Sequence, residues 1–153
     1  MERGERGFTL VELIIIIATI ALLTWVALPR SYVTDTRVQT AARKIKDDIR
    51  YAQELAMTKG KAHQIRFFSS TNPSPTNRYE IVTATGGAVK NPLTREGSYV
   101  VDFNSGTFSG VQIDANITVQ FDSLGRPDVG GSVSLNAGSK IITITLESGR
   151  VVL

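Results

Sequence analysis

Phe8 to Leu28 reads F-T-L-V-E-L-I-I-I-I-A-T-I-A-L-L-T-W-V-A-L, 21 residues holding three threonines and one charge, Glu12. As a helix this segment would span about 31 Å at about 1.5 Å per residue, close to the thickness of a hydrocarbon core. A helix lying on a soluble core would carry a polar stripe, and from Leu13 to Leu23 only Thr19 interrupts the apolar run. The segment reads as membrane-spanning. Met1 to Gly7 before it is short and hydrophilic.

Two simpler readings of the segment fail on particular residues. A cleaved secretory signal would have a shorter apolar core and a small-residue cleavage site, whereas Pro29 and Arg30 follow here. A plain anchor leaves Glu12 unexplained. A carboxylate within a membrane segment costs a few kcal/mol and asks for a partner. No basic residue lies between Phe8 and Leu28, so the partner must come from another chain or from a charge made by processing.

G-F-T-L-V-E followed by a long apolar run resembles the N-terminal signal of type IV pilins and type II secretion pseudopilins. The resemblance implies cleavage by prepilin peptidase between Gly7 and Phe8, and N-methylation of the new terminus at Phe8. It implies that the apolar segment is kept, anchors the subunit in the inner membrane and later packs in a filament core. Glu12 falls where the family places a carboxylate that neutralises a neighbouring subunit's N-terminal amine. Such pairing is physically reasonable, because two opposite charges in a dry core cost less together than apart. Pro29 matches a helix-breaking proline common in the family. Having no N–H, it also predicts a kink at that point.

Beyond Pro29 the pattern becomes amphipathic. Val38, Ala41, Ala42, Ile45, Ile49, Ala52, Leu55 and Ala56 recur at three- and four-residue steps, predicting one buried stripe on a helix from Thr36 to Lys59. Arg37, Arg43, Lys44, Lys46, Asp47, Asp48, Arg50 and Glu54 are assigned to the solvated face. Gly60 is placed to cap the helix C-terminus. After Gly60 the period changes to two. Strands are expected at His63–Phe68, Tyr79–Thr83, Tyr99–Phe103, Ile117–Phe121, Ser132–Leu135, Lys140–Leu146 and Arg150–Leu153. Ser69 to Asn77 reads as an exposed loop, and the turns near Gly138 and Gly149 predict a C-terminal meander. The fold class is therefore α+β, a long N-terminal helix packed on an antiparallel β-sheet domain. The implied division is leader 1–7, membrane and filament-core helix 8–28, amphipathic helix 29–60 and β domain 61–153.

F-D-S-L-G-R-P from Phe121, then G-G-S-V-S-L, K-I-I-T-I-T and S-G-R-V, resembles the GspH/FimT group of minor pseudopilins and minor pilins. The same residues make sense as a strand and turn. Asp122 can cap the turn, Gly125 can take positive φ and Pro127 can end the pairing. Major pilins usually close a C-terminal loop with a cysteine pair. This chain has no cysteine, which favours a minor component.

The 153 residues hold 17 Lys and Arg against 14 Asp and Glu, a formal charge of +3 that by itself argues no nucleic-acid partner. With no cysteine and one histidine, thiolate chemistry and histidine-rich metal sites are ruled out. No phosphate-binding loop, metalloprotease or hydrolase motif occurs, so an enzyme is not expected and no cofactor or metal is implied. His63 reads as a surface or edge histidine. Asp114, Asp122 and Asp128 fit no calcium-loop spacing. The group's DNA-binding members suggest an alternative on Arg126, Lys140 and Arg150, in natural-transformation DNA uptake. No aromatic residue lies between Gly125 and Leu153 to stack bases, which disfavours it.

The reading that results is a minor pilin or pseudopilin of a type IV pilus or type II secretion pseudopilus. It would be single-pass in the inner membrane with its globular domain in the periplasm. Its partners would be other pilins and prepilin peptidase, with nucleic acid as the less favoured partner.

Overall fold

The structure, a computed structural model, describes residues 9–27, 31–71, 77–95, 97–136, 138–146 and 148–153. By internal contacts the chain forms two compact units, residues 1–32 and 33–153, which are described separately.

The first unit holds helix α1, Leu10–Ala27. Its ten large apolar side chains from Leu10 to Leu23 are 40–74% exposed. Thr19 and Thr24 turn their hydroxyls back onto the helix: Thr19 donates to the carbonyls of Ile15 and Ile16 at 2.9 Å, and Thr24 to that of Ile20 at 2.7 Å. These bonds let a hydroxyl sit in apolar surroundings without an outside partner. At 18 residues α1 measures about 27 Å. Among the described residues no helix is long and apolar enough to cross a membrane. The predicted kink at Pro29 lies outside the described residues.

Helix α2 runs Ser31–Lys59, starting five residues earlier than its apolar stripe suggested. Val38, Ala41, Ala42, Ile45, Ile49, Ala52 and Ala56 are all buried, and Leu55 is partly buried. Four of these are alanines at 0% exposure, which lets the helix backbone approach the sheets closely. The helix ends as expected. Gly60 takes φ +59°, its N–H reaches the Met57 carbonyl at 3.3 Å, and the Lys61 N–H reaches that of Ala56 at 3.2 Å. That pair of bonds is the Schellman cap, which satisfies the last carbonyls of the helix.

Seven strands follow: β1 His63–Phe68, β2 Arg78–Thr83, β3 Tyr99–Asp102, β4 Ile117–Phe121, β5 Gly131–Leu135, β6 Lys140–Ile144 and β7 Val151–Val152. They form two antiparallel sheets, one ordered β3-β2-β1-β4 and one β5-β6-β7. The second is the predicted C-terminal meander, paired through Val133 with Ile142 and through Ile144 with Val151. Alternate residues point inward: Ile65, Phe67, Tyr79, Ile81 and Val119 from the first sheet, Val133, Leu135, Ile142 and Ile144 from the second. Together with the stripe of α2 they make one hydrophobic cluster. The fold is α+β.

Three expectations need correction. Asp48 is not solvated but buried, at 4% exposure. It stands three residues after Ile45 and four before Ala52, on the apolar stripe itself. His63 is neither at the surface nor at an edge. It is 5% exposed and begins β1, an inner strand flanked by β2 and β4. The segment Ser69 to Asn77 is not exposed at its two ends, which are 3% and 6% exposed. Asn77, at φ +55°, donates from Nδ2 to the Val111 carbonyl at 2.7 Å and accepts from the Ile113 N–H at 2.9 Å. A buried amide that clamps the backbone of a distant segment in this way satisfies both sides at once. Residues 72–76 between these ends lie outside the described residues.

Candidate functional site

The sequence points first to the N-terminus. Gly7 and Phe8 lie outside the described residues. Glu12 lies in the first turn of α1, with its backbone N–H 3.3 Å from the Thr9 hydroxyl and the Leu13 N–H 3.2 Å from the Thr9 carbonyl. Thr9 thus caps the helix, and a carboxylate in the first turn complements the helix dipole. The Glu12 side chain is exposed and has no ion-pair partner among the described residues. Because both threonine hydroxyls are bonded internally, Glu12 is the one polar side chain described on α1 that is left without a partner.

Covering the ten exposed apolar side chains of α1 is worth roughly 10 kcal/mol or more, at about 25 cal/mol per Å². That rivals the net stability of a small domain, about 5–15 kcal/mol. The first unit therefore presents an apolar helix surface with a carboxylate near one end.

The second carboxylate on an apolar helix surface is treated in the opposite way. Asp48 accepts hydrogen bonds from the Tyr79 hydroxyl at 2.6 Å, from the Tyr99 hydroxyl at 2.9 Å and from the Lys44 ammonium. Lys44 also donates to the Tyr99 hydroxyl at 2.9 Å, with its nitrogen 5.3 Å from the centroid of that ring. Burial and the Asp48 charge push the Tyr79 hydroxyl well above the ordinary tyrosine range. Burial raises Tyr99 as well, against a hydrogen bond from Lys44 that pulls it down. Burial pulls Lys44 down, but its bonds to Asp48 and Tyr99 outweigh that and leave it raised. Every group is paired, so the cluster is a structural tie from α2 to β2 and β3. The sequence held one sign of it, the position of Asp48 on the apolar stripe.

The predicted turn after β4 forms as read. Asp122 accepts from the backbone N–H of Leu124 at 2.9 Å and of Arg126 at 2.8 Å, and Gly125 takes φ +77°. Those bonds, the one from the Arg126 N–H foremost, hold the Asp122 carboxyl below its usual range. Pro127 makes one last bridge to Phe121, and the chain then crosses to the second sheet. Gln53, assigned no role from the sequence, donates from α2 to the Gly125 carbonyl at 2.7 Å. A Cβ on Gly149 would lie 2.5 Å from the same Gln53 nitrogen and 3.1 Å from the Gly125 carbonyl. One helix side chain thus ties down the turn at Gly125 and leaves no room for a side chain at Gly149.

Of the basic residues considered for DNA, Arg126 and Arg150 are brought to neighbouring turns and Lys140 stands apart. Arg126 and Arg150 follow the two apposed glycines, but Arg126 is paired with Asp122 at 3.3 Å. Lys140 is at the far end of β6 from Thr145, whose N–H bonds the Arg150 carbonyl at 3.0 Å. Five residues of strand put Lys140 roughly 16 Å from that pair. The three aspartates weighed as calcium ligands are engaged in hydrogen bonds, Asp122 within its own turn. Asp114 accepts from Ser134 and the Gly138 N–H, and Asp128 from the N–H groups of Gln120 and Val129. Among the described residues no group of three or more acidic or histidine side chains could hold a metal ion.

No family model matches the chain. Over 152 residues, 96% of this chain and 92% of the relative, it is 25% identical to the competence protein ComGD of Bacillus subtilis (strain 168). Its fold is similar to that of the type IV minor pilin FimU of Pseudomonas aeruginosa (strain PAO1). In one crystal form the TM-score is 0.52 at 17% identity, covering 77% of this chain and 88% of that one. In a second crystal form the TM-score is 0.50 at 15% identity, covering 74% and 90%.

Proposed function

We propose that this chain, a type IV pilin-like minor subunit, is processed after Gly7, anchored by the segment from Phe8 to Leu28, and built into a competence-type pseudopilus. The observation that carries the reading is the uncovered apolar α1, on which Glu12 is the one polar side chain without a partner among the described residues. Likeness to a competence protein along nearly the whole chain supports the competence setting over a secretion one.

The mechanism follows from charge and surface. Before assembly the segment from Phe8 to Leu28, three residues longer than α1 as described, sits in the inner membrane with the β-rich unit on the outer side. Cleavage after Gly7 exposes a charged amine on Phe8. That amine and the Glu12 carboxylate of an adjacent chain attract each other strongly at low dielectric. Their pairing removes the cost of holding either charge in an apolar medium. The apolar side chains of α1 then exchange lipid for sister helices, which needs no change in their hydration. The β-rich unit decides which neighbours are accepted. The work is structural, with no chemical step performed by this chain and no cofactor.

Mass spectrometry of the membrane-extracted protein tests the reading. The expected chain begins with N-methyl-Phe8. An intact Met1, or a chain cut near Pro29, overturns it.

A further inference from the structure

Asn116-Ile117-Thr118 has the form N-x-T, with a residue other than proline in the middle. No other Asn in the sequence opens such a triplet, since Asn72-Pro73-Ser74 is blocked by its proline. The triplet straddles the start of β4, and both Asn116 and Thr118 are exposed. Along β4 the side chains of Val119 and Phe121 enter the hydrophobic cluster, so Thr118 faces the opposite way, onto the outer face of the first sheet.

The Ser69 backbone N–H donates to Oδ1 of Asn116 at 2.6 Å. A backbone N–H can only donate, so the oxygen is the atom held and Nδ2 is the end left over. Neither that nitrogen nor the Thr118 hydroxyl has a hydrogen-bond partner among the described residues. A substituent on Nδ2 keeps the amide and its oxygen, so the bond to Ser69 survives it. The register of β1 with β4 sets Arg66 opposite Thr118 and Phe67 opposite Ile117. One step further it sets Phe68 opposite Asn116, at the usual cross-strand spacing of about 5 Å. Phe68 is half-buried and stands outside the core cluster, with the Arg78 guanidinium 5.5 Å from its ring centroid. Arg66 and Glu80 pair at 3.6 Å on neighbouring strands. An unpartnered amide nitrogen therefore stands beside an aromatic ring with a polar border. The CH groups of a pyranose can pack on such a ring while its hydroxyls meet the polar side chains.

We propose that Asn116 is the attachment site of an N-linked glycan. Nδ2 attacks the anomeric carbon of an oligosaccharide carried on a polyprenyl diphosphate. The N–C bond forms, the C–O bond to the diphosphate breaks, the lipid diphosphate leaves, and the amide gives one proton to a base of the transfer enzyme. Thr118 supplies the hydroxyl that such an enzyme reads two residues after the acceptor. The first sugar then rests against Phe68, and the bulk of the glycan keeps the outer face of the first sheet solvated. In a filament that face must point away from neighbouring subunits. The inference rests on the proposed function in one respect, that the β-rich unit lies on the outer side of the membrane.

The full chain extracted from its native membranes is digested and read by mass spectrometry, with the N-terminal peptide and the Asn116 peptide followed in the same run. The Asn116 peptide is expected to carry added mass that fragments in steps of single sugars. Thr118→Ala should abolish that mass with Asn116 still in place, and Thr118→Ser should keep it. Both variants should fold, because the Thr118 side chain is exposed. In the glycosylated chain the ring protons of the first sugar should resonate upfield beside Phe68, and Phe68→Ala should remove that shift while leaving attachment intact. An unmodified Asn116 overturns the proposal, whatever the N-terminal peptide shows. A glycan that persists in Thr118→Ala overturns it as well. A glycan on Asn116 of a chain that still begins at Met1 supports this site and overturns the processing instead.

Discussion

Helices α1 and α2 each carry one carboxylate on an apolar surface, and the two are handled in opposite ways. Asp48 on α2 is closed over by Lys44, Tyr79 and Tyr99. Glu12 on α1 has no ion-pair partner among the described residues, and the side chains around it are exposed. A buried charge is retained only where its partners are supplied. In α2 the chain supplies them from its own strands. In α1 none is supplied among the described residues, and the partner proposed above is the freed amine of an adjacent chain, which would make α1 an element that completes an assembly rather than the fold.

The sharpest way to break this contrast is to remove each acid in turn. Glu12→Ala is expected to abolish incorporation into filaments while membrane insertion and stability stay unchanged, within about 0.5 kcal/mol. Normal incorporation, measured in sheared filament fractions, would end the pairing account. Asp48→Ala is expected to do the reverse. It leaves an ammonium and two phenols without their acceptor and should cost about 3–5 kcal/mol in denaturant unfolding of the full chain. A loss below 1 kcal/mol would mean that the cluster is not a structural tie.

Smaller changes sharpen the α2 side. Gly125→Ala places a side chain at φ +77°, with its Cβ 2.8 Å from the Met57 sulfur, and should cost about 2–3 kcal/mol. Met57→Ala in the same chain should recover only the steric part, since the backbone penalty stays. The weakest expected effect is alkaline. Tyr79 and Lys44 are raised in the folded state, so the unfolded chain releases their protons first as pH rises. Stability from both is present in full below about pH 10 and declines above it. Tyr79→Phe should flatten that decline and itself cost about 1.5–2 kcal/mol at neutral pH, the loss of a hydrogen bond to a charged acceptor.

Legibility followed the range of the interaction. The stripe Val38 to Ala56, the cap at Gly60, the Asp122 turn and the C-terminal meander all rest on contacts a few residues apart. Each was readable because helix and strand periods, turn conformations and capping bonds are local physics. Asp48 was misassigned because its neighbours Asp47 and Arg50 suggest a solvated face, while its partners lie 31 and 51 residues away. His63 was misread for a related reason. Its position at a strand start was visible, but not that the strand would be flanked on both sides. Gln53 gave no sign at all, since its role depends on two glycines meeting across the fold.

By itself the sequence determined that an apolar segment with one acid precedes an amphipathic helix and a strand-rich remainder. Hydrophobic periodicity and charge cost are written residue by residue. Only the tertiary structure decided that Asp48 finds its partners on two distant strands, that Lys140 stands apart from Arg126 and Arg150, and that Gln53 meets the turns at Gly125 and Gly149. Those outcomes depend on distances between residues far apart in the chain, which sheet register and helix packing set and no local pattern encodes.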